Sequence, residues 1–129
     1  MPLVFNSKLK EGVWCEYQPG VRVKIAPLDK PGFRAIRSAA MRKDLVIEKG
    51  RRIVEEKPDE ELMDHLLFRR VIVDWEGIVD ADNNPIPCTD EMKDVLTDTL
   101  LGFASWVLEE AMALAERRLE ALDGAVKNS

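Results

Sequence analysis

Cysteine is scarce in this chain. Cys15 and Cys88 are the only two, and they are too far apart in sequence to form a CxxC pair. Two cysteines cannot staple a secreted disulfide scaffold, so a reducing compartment is the simplest setting. Positive charge is also in deficit, with 19 Lys plus Arg against 24 Asp plus Glu and a net charge of −5. Phosphate binding needs a basic surface, so nucleic acid is not the expected partner, and an anionic membrane is excluded on the same ground. A long hydrophobic run is missing as well. The most apolar stretch, Leu100 to Ala115, is interrupted by Glu109 and Glu110 and is too short to span a bilayer. Residues Met1 to Lys8 show no basic flank followed by an apolar segment, so no targeting signal is expected there and the protein should stay where it is made. The seven glycines are scattered singly, which leaves no loop to cradle a phosphate.

What remains is the composition of an ordinary folded protein: 129 residues, 46% hydrophobic and 33% charged. That length suits one domain, because half of it could not hold a good core. Residues 1–11 have no period and read as an arm. Val13-Trp14-Cys15-Glu16-Tyr17 is strand-like, Gln18-Pro19-Gly20 is a turn, and Val21-Arg22-Val23-Lys24-Ile25 alternates as a half-buried strand does. The spacing thus predicts a hairpin over 12–26, which must lie on a helix because a lone hairpin is marginal in water. After the linker Pro27 to Gly32, Asp29 or Gly32 can begin a helix whose first turn suits Pro31.

Phe33, Ile36, Ala40, Leu45 and Ile47 fit a helical period loosely, so 33–56 is read as mostly helix with a break near Gly50. Asp59-Glu60-Glu61 places acids where a helix dipole favours them, and Leu62, Met63, Leu66, Leu67 and Ile72 give 59–74 an apolar face. Residues 75–88 read as a loop. Thr89 caps the next helix, and from Leu100 the stripe Phe103, Val107, Ala111, Leu114 marks the strongest helix, stopped by Asp123-Gly124 with 125–129 frayed. The expected fold is α+β and mainly α-helical. An N-terminal β-hairpin is followed by a body of about four helices over 32–123, all within one domain at 12–124.

Few residues suggest chemistry. Asp80, Asp82, Asn84 and Glu91 stand at positions one, three, five and twelve of a calcium-loop spacing, but position six is Pro85 where the loop needs glycine. A tight polar turn with Asn83 or Asn84 in the left-handed region is the better reading. Cys88 and His65 could pair as nucleophile and base, yet no orienting residue or oxyanion motif accompanies them. No metal or cofactor is expected. Arg34, Arg37, Arg42, Lys43, Lys49, Arg51 and Arg52 form a basic cluster without interleaved aromatics, which reads as a solvated helix face or a dock for an acidic partner. Trp106 and Met112 widen the apolar stripe of the last helix beyond what one partner helix covers. That surplus is either core or a protein–protein surface.

Residues Val71 to Glu91 resemble the tail assembly chaperones of long-tailed bacteriophages. The resemblance rests on Trp75-Glu76-Gly77, the turn Asp80-Ala81-Asp82-Asn83, the Pro85-Ile86-Pro87 step, and Thr89 capping a helix that begins Asp90-Glu91, with a hydrophobic helix after it. Gly12 to Phe33 is similar to the strand pair and the Phe after a linker seen ahead of that motif. The departure is Asn83-Asn84, where a glycine is usual; Asn tolerates the same backbone. The resemblance implies a non-enzymatic protein of the host cytoplasm, absent from the finished virion. Such a protein binds the apolar, helical tape-measure protein while tail-tube protein polymerises around it, and the resemblance allows a homo-oligomer. Trp75, Phe103, Trp106, Val107 and Met112 are the residues expected to meet that partner. The alternative is a head–tail connector or tail-completion protein that stays in the particle; a small hydrolase using Cys88 is the third reading.

Overall fold

The computed structural model describes residues 11–127. The chain runs β1 (Val13–Gln18), β2 (Val21–Ile25), α1 (Lys30–Ala39), β3 (Met41–Glu48), β4 (Arg51–Pro58), α2 (Glu60–Val71), β5 (Ile72–Glu76), α3 (Asp90–Thr99) and α4 (Leu101–Lys127). It is an α+β fold with strands at its N-terminal end. The expected arm lies almost wholly outside the described residues.

The predicted hairpin is present and β2 is its inner strand. β2 pairs antiparallel with β1 on one edge and with β5 on the other, giving the order β1-β2-β5. Cys15, Val23 and Trp75 stand opposite one another across the three strands. The alternation in Val21–Ile25 does what a period of two should: Val23 and Ile25 are fully buried while Arg22 remains exposed. Over this face lie α2, through Leu67 and Val71, and α4, through Phe103, Val107, Ala111 and Leu114. The α4 stripe has intervals of four, four and three residues, which brings these side chains onto one helical face.

Each helix start expected from sequence is capped. Asp29 Oδ1 accepts from the Gly32 N–H at 2.9 Å, Asp59 Oδ1 from the Leu62 N–H at 3.2 Å, and Thr89 Oγ1 from the Met92 N–H at 3.2 Å. Pro31 sits in the first turn of α1, where its missing N–H costs nothing.

Three expectations are corrected. Residues 33–56 are not one broken helix. α1 ends at Ala39, and β3 and β4 form a separate two-stranded ribbon in uninterrupted register from Met41↔Pro58 to Glu48↔Arg51. The β-branched residues Val46, Ile47, Ile53 and Val54 favour the pleat, and Lys49-Gly50 turns the chain with φ of 51° and 76°, the positive pair of a tight hairpin bend. Helix 59–74 ends instead at Val71, because Ile72 to Glu76 pairs with β2; this removes Trp75 and Glu76 from the expected loop. Finally, α4 continues through Gly124 to Lys127 rather than stopping at Asp123-Gly124. A glycine inside a helix costs only about 1 kcal/mol relative to alanine.

Gly77 shows how tightly the sheet is closed. It has φ of +86°, and a Cβ there would fall 1.9 Å from the Gly20 carbonyl oxygen. Gly20 has nearly the same φ, +84°, but open space around its missing Cβ. Gly20→Ala should therefore cost about 1 kcal/mol, the left-handed backbone term alone. Gly77→Ala should cost more than about 3 kcal/mol, because backbone must move as well. Urea unfolding of the two variants checks this; equal losses would mean the β2–β5 end is loose.

Candidate protein-binding surface

The segment between β2 and α1 is tied down at two points. The Ala26 N–H donates to the Val71 carbonyl at 2.8 Å, and the Leu28 N–H donates to the Ala111 carbonyl at 3.0 Å. Leu28 is thereby held against α4, and Asp29 starts α1 beside it, with its carbonyl accepting from the Phe33 N–H at 2.9 Å. An open groove of about 390 Å³ results between α1, α2 and α4. Leu67 is its buried floor, Leu28 and Leu108 its half-buried walls, and Phe33 and Met112 its lips. Phe33 is 42% exposed and Met112 51% exposed, so two large apolar side chains stand half in water on opposite sides of one depression. Asp29, Lys30 and Arg34 supply charge at the rim. A second, smaller depression lies between Tyr17, Gly77, Val79, Leu96 and Leu100.

The five residues expected to meet a partner separate. Trp75, Phe103 and Val107 are buried in the chain's own core. Trp75 also donates its Nε1–H to the Ile86 carbonyl at 2.8 Å, pinning the loop after β5. Trp106 is half-buried against strand β1: its ring centroid lies 4.9 Å from that of Tyr17 and 6.3 Å from that of Phe103. The surplus that the sequence assigned to Trp106 is therefore covered by the hairpin, and only Met112 stands open. Phe33, Leu28 and Leu108 were missed. The signal for Phe33 is its spacing from Ile36 on α1 and from the capping Ala40, both buried, but Leu45 and Ile47 of the ribbon continue the same loose helical count and mask it.

Polar side chains gather instead along the α2–α3 seam. His65 Nε2 lies 2.8 Å from Asp98 Oδ2, and Arg69 Nε donates to Asp94 Oδ1 at 3.0 Å. Lys93, largely buried, donates Nζ–H to the Arg69 carbonyl at 3.2 Å. The hydrogen bond to Asp98 raises the His65 pKa above its ordinary 6.5, with Asp94 and Glu61 adding to it against a loss from burial. The Arg69 bond holds Asp94 below its ordinary 3.8. These are groups that neutralise one another across a helix pair, and among the described residues no cluster has the makings of a metal site.

Cys88 packs against the apolar core, where burial pushes its thiol pKa up, away from the thiolate a nucleophile needs. His65 engages Asp98 and Asp94 rather than a thiol. In the calcium-like stretch, Asp80 Oδ1 accepts from the N–H groups of Asp82 and Asn84, both at 2.9 Å. Asn83 takes φ of 65°, so the polar left-handed turn expected there is present. The basic cluster divides, with Arg34 and Arg37 on α1 and the other five members on the ribbon or its turn.

A family model described as YdaY prophage protein matches residues 28–128. The matched span begins at Leu28, so it contains every residue lining the groove and leaves the β1–β2 hairpin outside. No curated protein and no solved structure matches the chain.

The raised His65 pKa has a definite sign. A proton held more tightly in the folded state contributes stability that is complete below the unfolded value and is lost as pH rises through the folded one. His65→Gln should therefore lower Tm most at pH values below the ordinary imidazole value of 6.5, with the gap to the native chain closing as the pH rises through the raised folded-state value. Thermal melts across that range check it; a gap independent of pH would show that the imidazole is not charged in the seam.

Proposed function

The chain belongs to the YdaY prophage protein family, and from that origin together with its open groove we propose that it is a tail assembly chaperone. In this reading an amphipathic helix of the tape-measure protein lays its apolar face between the lips Phe33 and Met112, over Leu67 and Leu108. Helix-in-groove recognition of this kind uses anchors three and four residues apart on the ligand. The charged rim, Asp29, Lys30 and Arg34, keeps the surround polar, and the net charge of −5 opposes precipitation of the complex. Tail-tube subunits then displace the chaperone as they polymerise, and it is left behind in the host cytoplasm. The observation that carries the reading is the pair of half-exposed apolar lips on a groove floored by the core residue Leu67. A single lip side chain withdrawn from water contributes on the order of 1 kcal/mol, so the lips, walls and floor of the groove must act together to hold a helix reversibly.

A second reading, a head–tail connector or tail-completion protein, is favoured by the β3–β4 ribbon. Such an arm could join copies in the virion. It differs in one outcome, since the connector is retained in purified particles and the chaperone is lost from them.

The groove is tested by turbidity of a tape-measure segment from the same prophage, with and without this protein. Phe33→Glu and Met112→Glu each place a carboxylate in the path of an apolar ligand. Each should weaken protection at least about tenfold while leaving the melting temperature within a few degrees of native, because both side chains already face water. Full protection by the double variant would remove the groove from the mechanism.

A further inference from the structure

The ribbon carries an inference of its own. Among the described residues β3 and β4 form a sheet of two strands, and neither strand packs extensively on another element. Its base is fixed by the Asp59 N–H donating to the Ala40 carbonyl at 2.8 Å, and by Arg42 lying 3.7 Å from Asp59. Beyond that base, Leu45 is 65%, Val54 60% and Ile47 73% exposed. An isolated two-stranded ribbon with apolar residues in water is marginal, and its free edges invite another strand.

The charges say which strand. In the basal half of the ribbon they are matched within the chain: Asp44 lies 3.3 Å from Lys57 and 3.4 Å from Arg42, and Lys43 lies 3.7 Å from Glu56. In the distal half, Glu48, Arg51, Arg52 and Glu55 have no ion-pair partner among the described residues. Arg51 and Glu55 stand symmetrically about Ile53 on β4, two residues to either side. We propose that the β4 edge pairs antiparallel with the β4 edge of a second copy about a two-fold axis at Ile53, joining two ribbons into one four-stranded sheet.

Within the chain Arg51 stands in register with Glu48 without forming an ion pair, and Glu55 stands opposite Asp44, a like charge; in the proposed register Arg51 of each copy faces Glu55 of the other, which gives both residues an ion-pair partner. Ile53 faces its own counterpart. Because Val46 is the in-chain neighbour of Ile53, the row Val46–Ile53–Ile53–Val46 becomes continuous across one face. Neighbouring registers are worse. Centred on Val54, the pairing sets Arg51 against Lys57; centred on Arg52, it sets Arg52 against itself. The β3 edge offers less, since Arg42 is already held by Asp44 and Asp59. Like charges directly opposite in a sheet are destabilising, and opposite ones stabilise the pairing.

Sedimentation velocity of the full chain tests this with a charge exchange. The native chain should sediment as a concentration-dependent dimer. Arg51→Glu and Glu55→Arg should each raise the dimer Kd about tenfold or more, because each turns two attractive pairs repulsive. The double variant should restore the dimer, and so should mixing the two single variants, which then form only the mixed pair. Ile53→Cys should cross-link the dimer at the axis under mild oxidation. A monomer at every concentration, a closed ring of more than two copies, or a dimer indifferent to both charge reversals would each overturn the proposal. Restoration by the exchange excludes misfolding as the cause of the single-variant effects.

Discussion

The fold depends on one strand being covered on three sides. β2 has hydrogen-bonded neighbours at both edges, and its inward residues Val23 and Ile25 are sealed by α2 and α4. Every other placement follows from that burial. The chain leaving β2 must pass between the two helices that cover it, and it does so by giving its Ala26 and Leu28 N–H groups to the Val71 and Ala111 carbonyls. Ala111, fully buried, is small enough to let the backbone of the linker reach the backbone of α4. α1 then starts where Asp29 caps it, and the groove is the space left between α1 and α4 once the linker is fixed.

The molecule therefore divides its apolar surface by purpose. Most of the aromatic and β-branched side chains are spent on the β2 core, including Trp75, Phe103 and Val107. Trp106 is closed over by Tyr17. Among the apolar side chains left in water are the lips Phe33 and Met112, the ribbon residues Leu45, Ile47 and Val54, and Val95, Leu100 and Leu101 about the junction of α3 and α4. A groove with a buried floor suits a helical ligand, whereas a ribbon with a free edge suits a strand. Holding one partner in the groove while joining two copies through the ribbon would give a divalent holder, and divalency raises the apparent affinity for a long, repetitive ligand without any new contact.

Much of this was legible in the sequence where a local rule acted alone. The hairpin showed in the period of two at Val21–Ile25, the helix starts in Asp29, Asp59 and Thr89, and the α4 stripe in its three- and four-residue spacing. The ribbon was not read, because Leu45 and Ile47 continue a helical count begun by Phe33 and Ile36; the β-branching of Val46, Ile47, Ile53 and Val54 and the Lys49-Gly50 turn were the stronger signals. The groove residues were legible only in part. An apolar helix position is buried or open according to which strand packs on it, and nothing local to Trp106 announces Tyr17, some ninety residues earlier in the chain. Met112, six residues further along the same helix, is 51% exposed.

The methionines allow the central claim to be read in one experiment. Met112 lies at the groove, Met41 at the base of the ribbon, and Met63 and Met92 against the core. Methyl NMR of the methionine-labelled protein, titrated with a tape-measure segment from the same prophage, separates these places. The account predicts that the Met112 methyl shifts saturably while those of Met41, Met63 and Met92 stay where they are. A saturable shift at Met41 with Met112 unmoved, or no shift at any methyl, would contradict it.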